Sequence, residues 1–175
     1  MSPEFYSRAE GIYREQRDLY HYWRTCAYPK SVPASEAIDP VGIPRLLPRL
    51  SLVDAFENLD LLRYRLAGTQ VRELFSIEIK GRLVFESGLQ HKKMYWMEAF
   101  RKVVYHRLPM QGLVRGPLAG RDHLLLVWLR LPLQGSSGRI ERILGYDAVL
   151  PLSSRETAEA FEHASLYGVR TASGW

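Results

Sequence analysis

Apolar positions recur at spacings of three and four from Phe5 to Ala27: Ala9, Ile12, Tyr13, Gln16, Leu19, Tyr20, Trp23, Cys26 and Ala27 share one face. That spacing predicts a single long amphipathic helix. Ser2 with Pro3 suits its start, and Pro29 its stop. The stripe is rich in aromatic side chains, and an exposed apolar face of this length favours association. Two burial modes stay open, docking onto the chain's own sheet or a dimer interface, with Ile12, Tyr13, Leu19, Tyr20 and Trp23 as the contact residues in either case.

Residues 29–39 hold proline, serine and alanine without periodicity and read as a linker. Asp39-Pro40 starts a short helix towards Leu47, interrupted by Pro44 and ended by Pro48. The pattern then changes to period two. Leu50–Phe56 is a first strand, Asn58–Asp60 a turn, and Leu61–Ala67 a second strand in which Arg63 and Arg65 alternate with Leu62, Tyr64 and Leu66. Gly68 turns the chain into a short helix that Thr69 can cap, with Val71, Leu74 and Phe75 inward. Gly81 and Gly88 bracket an irregular segment. Gln90–His106 is a longer helix with Met94, Met97, Phe100, Val103 and Val104 on its inner side. Three strands follow, Met110–Pro117, His123–Leu133 and Arg139–Leu150, and then a helix capped by Ser153 or Ser154 from Arg155 to about Tyr167.

The fourth strand is apolar on both faces: Leu125, Val127, Leu129 and Leu131 on one, Leu124, Leu126, Trp128 and Arg130 on the other. Both faces must therefore be covered. The helices inserted between strands two and three cover one. The N-terminal helix is the natural cover for the other, which places Trp128 beneath it beside Trp23 or Tyr20.

The segment Arg63-Tyr64-Arg65-Leu66-Ala67-Gly68-Thr69-Gln70-Val71-Arg72-Glu73-Leu74-Phe75, the Ile79-Lys80-Gly81-Arg82 after it and the stretch from Ile38 to Asp54 before it resemble the early core of a PAS domain. More closely, they resemble a bacterial family of short, single-PAS proteins of mostly undefined function. The resemblance implies an α+β fold: a five-stranded antiparallel sheet in the order 2-1-5-4-3 with helices on one face, plus the long N-terminal helix and a C-terminal helix. The implied organisation is an N-terminal helix over 1–28, a linker and short helix over 29–48, a PAS-like core over 49–152 and a C-terminal helix and tail over 153–175. It also implies a cavity between sheet and helices that can hold a small apolar molecule. Tyr64, Leu66, Phe75, Trp96, Met97, Phe100, Leu113, Val127 and Leu129 are its candidate lining, with Tyr64 and Trp96 the best hydrogen-bond donors. The competing expectation is that these side chains simply fill a close-packed core.

Composition narrows the chemistry. The chain of 175 residues carries 46% hydrophobic and 25% charged residues, which suits a globular domain with an appendage. Its longest apolar run, Leu124–Leu129, is too short to span a bilayer. No basic-then-apolar leader is evident, and a single cysteine, Cys26, makes no internal disulfide, so a cytoplasmic location is expected. The net charge of +5 comes mainly from residues 29–110. A surface using Arg63, Arg65, Lys80, Arg82, Lys92 and Lys93 for nucleic acid or another polyanion is the alternative reading, weakened by the lack of a long basic run.

No metal site is expected, because the histidines lack helical ligand spacing and one cysteine makes no cluster. Haem through His91 or His106 is not expected, since both lie at helix ends beside basic residues. Covalent flavin is not expected either, because Cys26 belongs to the outer helix. Asp54 and Asp147 fall inside strands, where pointing outward, or pairing with Arg63, Arg65 or Arg142 across neighbouring strands, is expected rather than catalysis. The sequence thus reads as a non-enzymatic, stand-alone PAS sensor or adaptor. It would bind an apolar metabolite or a protein and act through a homodimer or a signalling protein in trans.

Overall fold

The computed structural model describes residues 14–159 and 171–172; the helix expected before Arg14, the contacts expected of Ile12 and Tyr13, and the C-terminal helix expected beyond 159 lie outside them. The N-terminal helix is seen as α1, Arg14–Ala27. Three short 3-10 turns lead from it to β1, Leu50–Asp54, which pairs antiparallel with β2, Arg63–Ala67. Helix α2, Thr69–Phe75, two further 3-10 turns and helix α3, Lys93–Tyr105, precede β3, Met110–Arg115. Strands β4, Leu124–Gln134, and β5, Ile140–Pro151, complete an antiparallel sheet ordered β2-β1-β5-β4-β3. A two-residue strand β6, Thr171–Ala172, adds a parallel edge beside Leu113 and Val114, a feature that no period in so short a segment could announce.

The long β4–β5 ladder, from Leu124 opposite Pro151 to Gln134 opposite Ile140, is the spine of the sheet. Its pleat separates two sets of side chains. On the inner face, Trp128 and Arg130 lie against α3, with the Trp96 and Trp128 rings 5.1 Å apart and the Arg130 guanidinium 5.3 Å from the Trp96 ring. On the outer face, Leu129 stands opposite Tyr146, whose hydroxyl donates to Glu15 of α1 at 2.7 Å. Helix α1 is pinned there by two further bonds: Gln16 Nε2 donates to the Trp128 carbonyl at 2.8 Å, and Trp23 Nε1 to the Pro132 carbonyl at 2.9 Å.

Both faces of β4 are covered, but Trp128 does not lie under α1. Its indole points to the opposite face, towards α3, and only its carbonyl meets α1. The alternation identified which residues share a face; it could not say which helix each face receives, because both faces are apolar.

A β-bulge also changes one face. Leu52 pairs with Leu66 and Val53 with Tyr64, so Arg65 is an extra residue in β2. Such an insertion breaks strict alternation. Tyr64 turns inward and is buried, whereas Leu66 turns out and is 53% exposed.

Other local readings shift in smaller ways. Gly68, not Thr69, occupies the α2 N-cap, and no side chain caps that helix. On α3 the inner face is Trp96, Ala99, Phe100 and Val103, while Met94 is 85% exposed. The stretch after Pro29 is tied to the sheet rather than free: the Gln134 amide donates to the Pro33 carbonyl, Ala34 bridges to Gln134, and Val32 is buried. Ser154 does cap the turn at 155–159, its hydroxyl accepting from the Thr157 amide at 3.1 Å.

Gly68 is required where it stands. A Cβ there would enter the van der Waals shells of the Leu47 and Pro48 carbonyl oxygens, which are backbone and cannot swing aside. The Gly68 amide also donates to the Leu50 carbonyl at 2.7 Å, fixing the approach. Gly68→Ala is expected to cost about 1–3 kcal/mol, as overpacking does, measurable as a fall in the urea midpoint at unchanged m-value. A midpoint equal to the parent's would show that the α2 start can move away from this turn.

Candidate functional site

The inner face of the sheet, between β1, β5, β4, β3 and the helices α2 and α3, holds Ser51, Arg130 and Asp147, all buried. At its centre is an ion pair. Arg130 Nη2 donates to Asp147 Oδ1 at 2.8 Å, and both side chains are only 3% exposed. Arg130 Nη1 also donates to the carbonyls of Leu129 and Tyr146, at 2.9 and 3.0 Å. The guanidinium lies over the Trp96 and Trp128 rings, 5.3 and 5.7 Å from their centroids. Contacts of this kind favour a desolvated cation. Burial raises the Asp147 carboxyl above its ordinary value, and Arg130 offsets part of that rise.

Two glycines let these large groups lie against the sheet. A Cβ on Gly112 would stand 2.6 Å from the Tyr95 hydroxyl and 2.8 Å from the Trp128 ring. A Cβ on Gly145 would collide with Ser51 Oγ and stand 3.3 Å from Arg130 Nη1. Trp128 Nε1 donates to the Tyr95 hydroxyl at 2.9 Å. Tyr64 closes the β2 side, its ring 5.9 Å from that of Phe75. Burial raises the Tyr64 phenol, and the charge of Arg130 partly counters this.

Of the candidate lining, Tyr64, Phe75, Trp96 and Phe100 come together on this face, and Met97 is half-buried on α3. Leu66 leaves it through the bulge. Leu113, Val127 and Leu129 lie on the opposite, α1 face: Leu113 pairs with Val127, one residue out of phase with the inward pair Gly112 and Trp128. Of the candidate interface residues, Leu19 and Trp23 are buried against the chain's own sheet, Tyr20 stacks on Trp23, and Trp128 is inside.

The sequence reading missed the pair at the centre. Arg130 ended an apolar set and Asp147 had nearer-looking partners. Asp54 does meet Arg65 and Arg142, at 3.4 and 3.8 Å. Asp147, however, is on the inner face opposite Trp128, out of reach of those arginines. The available signal was an arginine and an aspartate each embedded in an otherwise apolar strand.

The basic residues weighed for a polyanion are partly engaged. Arg65 pairs with Asp54 and Lys93 with Asp60, while Arg63 and Arg82 donate to the carbonyls of Gly81 and Glu78. His91 and His106 are exposed at the two ends of the α3 region. Among the described residues, no three His, Cys, Asp or Glu side chains are placed to hold a metal ion, and no helix is long and apolar enough to cross a membrane.

A five-stranded antiparallel order 2-1-5-4-3 with helices inserted after the second strand is the arrangement of the PAS fold. The family model described as a PAS domain matches residues 13–147, and the chain belongs to that family. No curated protein matches the sequence. Among solved structures, an RNA-binding light-oxygen-voltage receptor aligns at 17% identity and a TM-score of 0.50, over 78% of this chain and 39% of that one. This chain therefore spans about two fifths of that receptor. A light-oxygen-voltage domain studied with a flavin analogue aligns at 14% identity and a TM-score of 0.51, over 73% and 93%. The PAS domain of Bordetella pertussis BvgS aligns at 17% identity and a TM-score of 0.48, over 74% and 94%. At these identities the likeness concerns the fold.

A covalently bound flavin does not fit the residues present. The single cysteine, Cys26, is on α1, across the sheet from Trp96 and Trp128, and the inner face offers no thiol.

Proposed function

We propose that this PAS domain is a sensor in which a small molecule held on the inner face of the sheet alters the docking of α1, and that α1 passes the state to a second copy or to a signalling protein. The observation that carries the reading is that the same β4 and β5 residues serve both faces. Trp128 presents its indole to the inner site and its carbonyl to Gln16 of α1. Asp147 lies in the inner site, while the adjacent Tyr146 holds Glu15 of α1 through its hydroxyl and accepts from Arg130 through its carbonyl. Arg49 joins this outer cluster, donating to Glu15 at 2.6 Å and to Gln70 of α2 at 2.7 Å. A displacement of Arg130 or Trp128 is thus transmitted to α1 through one strand thickness.

The role is binding, not catalysis, and it is exercised in the cytoplasm. The two strand carboxylates support this: Asp54 and Asp147 each face arginine.

Mass spectrometry of freshly purified protein, under native and then denaturing conditions, tests whether a molecule is held. Release of a small molecule on denaturation is the expected result. Tyr146→Phe tests the transmission, because it removes one hydroxyl from the outer cluster and leaves the inner face intact. Loss of a hydrogen bond to a charged group, about 1.5 kcal/mol or more, corresponds to about tenfold faster amide exchange in α1, with ligand retention unchanged. Unaltered α1 exchange in Tyr146→Phe, or no released molecule, counts against the sensor.

A further inference from the structure

Three buried polar atoms among the described residues have no hydrogen-bond partner: Asp147 Oδ2, Trp96 Nε1 and Ser51 Oγ. Their residues are almost fully buried, at 3%, 0% and 3% exposure. Leaving one such atom unpaired is costly, and native interiors rarely do it. Three in one region point to a missing partner that belongs there. All three are on the inner face. Asp147 is bonded to Arg130 through its other oxygen, Ser51 Oγ and Arg130 Nη1 both crowd the position a Cβ on Gly145 would take, and the Trp96 ring lies under the same guanidinium.

The atoms specify what would satisfy them. As the carboxylate paired with Arg130, Asp147 only accepts at Oδ2, so its partner must donate. Trp96 Nε1 donates only, so its partner must accept. Ser51 can do either. The surrounding walls are aromatic, contributed by Trp96, Trp128 and Tyr64, and favour a flat molecule. Arg130 and Asp147 already cancel each other's charge, so a ligand with net charge would bring an uncompensated ion into a dry site.

We propose that the inner face binds a small, neutral, planar amide, in which an N–H donates to Asp147 Oδ2 and the carbonyl accepts from Trp96 Nε1 or Ser51 Oγ. The proposal rests on the sensor reading and specifies the class of its signal.

The four tryptophans provide the test. In a 1H–15N spectrum of the full chain, Trp23 and Trp128 already donate to oxygen, whereas Trp96 does not. Titration with benzamide is expected to move the Trp96 indole proton downfield, by more than those of Trp23 and Trp128. Benzoate and benzylammonium, which share the ring but lack the donor or the acceptor, are expected to leave it in place. Trp96→Phe keeps an aromatic ring but removes the donor together with the indole's five-membered ring; it is expected to weaken benzamide binding at least about fivefold, the worth of one neutral hydrogen bond. Ser51→Ala is a second variant that does not disturb the ion pair, and it too is expected to weaken binding.

If benzoate or benzylammonium moves the Trp96 proton and benzamide does not, the amide class is overturned and the sensor reading stands. If no probe moves it and the molecule released on denaturation carries no amide, the class again falls alone. If no probe moves it, nothing is released and the Trp96 proton already resonates as a hydrogen-bonded one, water occupies the site and both readings fall.

Discussion

Asp147→Asn is expected to lower stability by about 3–5 kcal/mol, because removing one partner of a buried ion pair strands the other. Arg130 would keep its bonds to the carbonyls of Leu129 and Tyr146 and its contacts with two indoles, but its charge would have no counterion at 2% exposure. Arg130→Met is expected to cost a similar amount by stranding Asp147. The double variant Arg130→Met/Asp147→Leu is expected to lose much less than the sum, since both desolvation penalties disappear together. Urea titration of the four proteins measures the coupling, and additive losses would show that the two groups do not act as a pair.

The pH dependence has a definite sign. Burial raises the Asp147 carboxyl in the folded state, with Arg130 a partial offset. As pH rises, the unfolded chain releases this proton first. The contribution of Asp147 to stability is therefore full below the ordinary carboxylate range and is lost as pH climbs through the raised folded value. Asp147→Asn should abolish that part of the pH slope. A parent protein whose stability instead rises with pH through this window, by an increment that Asp147→Asn removes, would mean that Arg130 outweighs burial.

Trp23→Ala is expected to be the other large effect. Trp23 is buried at 1% exposure, stacks on Tyr20 with ring centres 5.9 Å apart, and donates to Pro132. Truncating a buried tryptophan typically costs about 3–5 kcal/mol. Here the loss should fall on α1 docking before the sheet opens, because α1 is joined to the rest mainly through β4 and the Glu15 cluster. Hydrogen exchange should show α1 losing protection while the β4–β5 ladder keeps it. The uncovered face, with Leu125, Val127, Leu129 and Leu131 along one strand, would then favour self-association. Equal loss of protection in α1 and in β4–β5 would mean that the helix is part of one cooperative unit and cannot report separately on the inner site.

That last possibility bears on how a dimer could form. The α1 residues with the strongest apolar character, Leu19 and Trp23, face the chain's own sheet. A dimer through this helix would therefore use its other sides, or would form when α1 is released. Under the proposed sensor reading, the second route would tie association to the state of the inner face, an output that size-exclusion chromatography can read.

The fold was legible in the sequence because its determinants are local or periodic. The 3.6-residue period marked α1 and α3, the two-residue period marked the strands, and Gly68 marked the turn between β2 and α2. The apolar character of both faces of β4 required a cover on each side, and covers are present on both. The inner site was only partly legible. Tyr64, Phe75 and Phe100 followed from their faces; Trp96 came only from the family resemblance, since the helical pattern put Met94 and Met97 inward, and Leu66 was lost because a one-residue bulge at Arg65 reverses alternation and leaves no mark in a pattern of period two. Val127 and Leu129 were separated correctly from Trp128, yet which set faces α1 depends on how the sheet is turned relative to its helices. Above all, the sequence by itself determined that Arg130 and Asp147 lie in strands. Only the tertiary structure decided that they meet, since register between β4 and β5 is what brings residues seventeen positions apart within 2.8 Å of each other in a place that water does not reach.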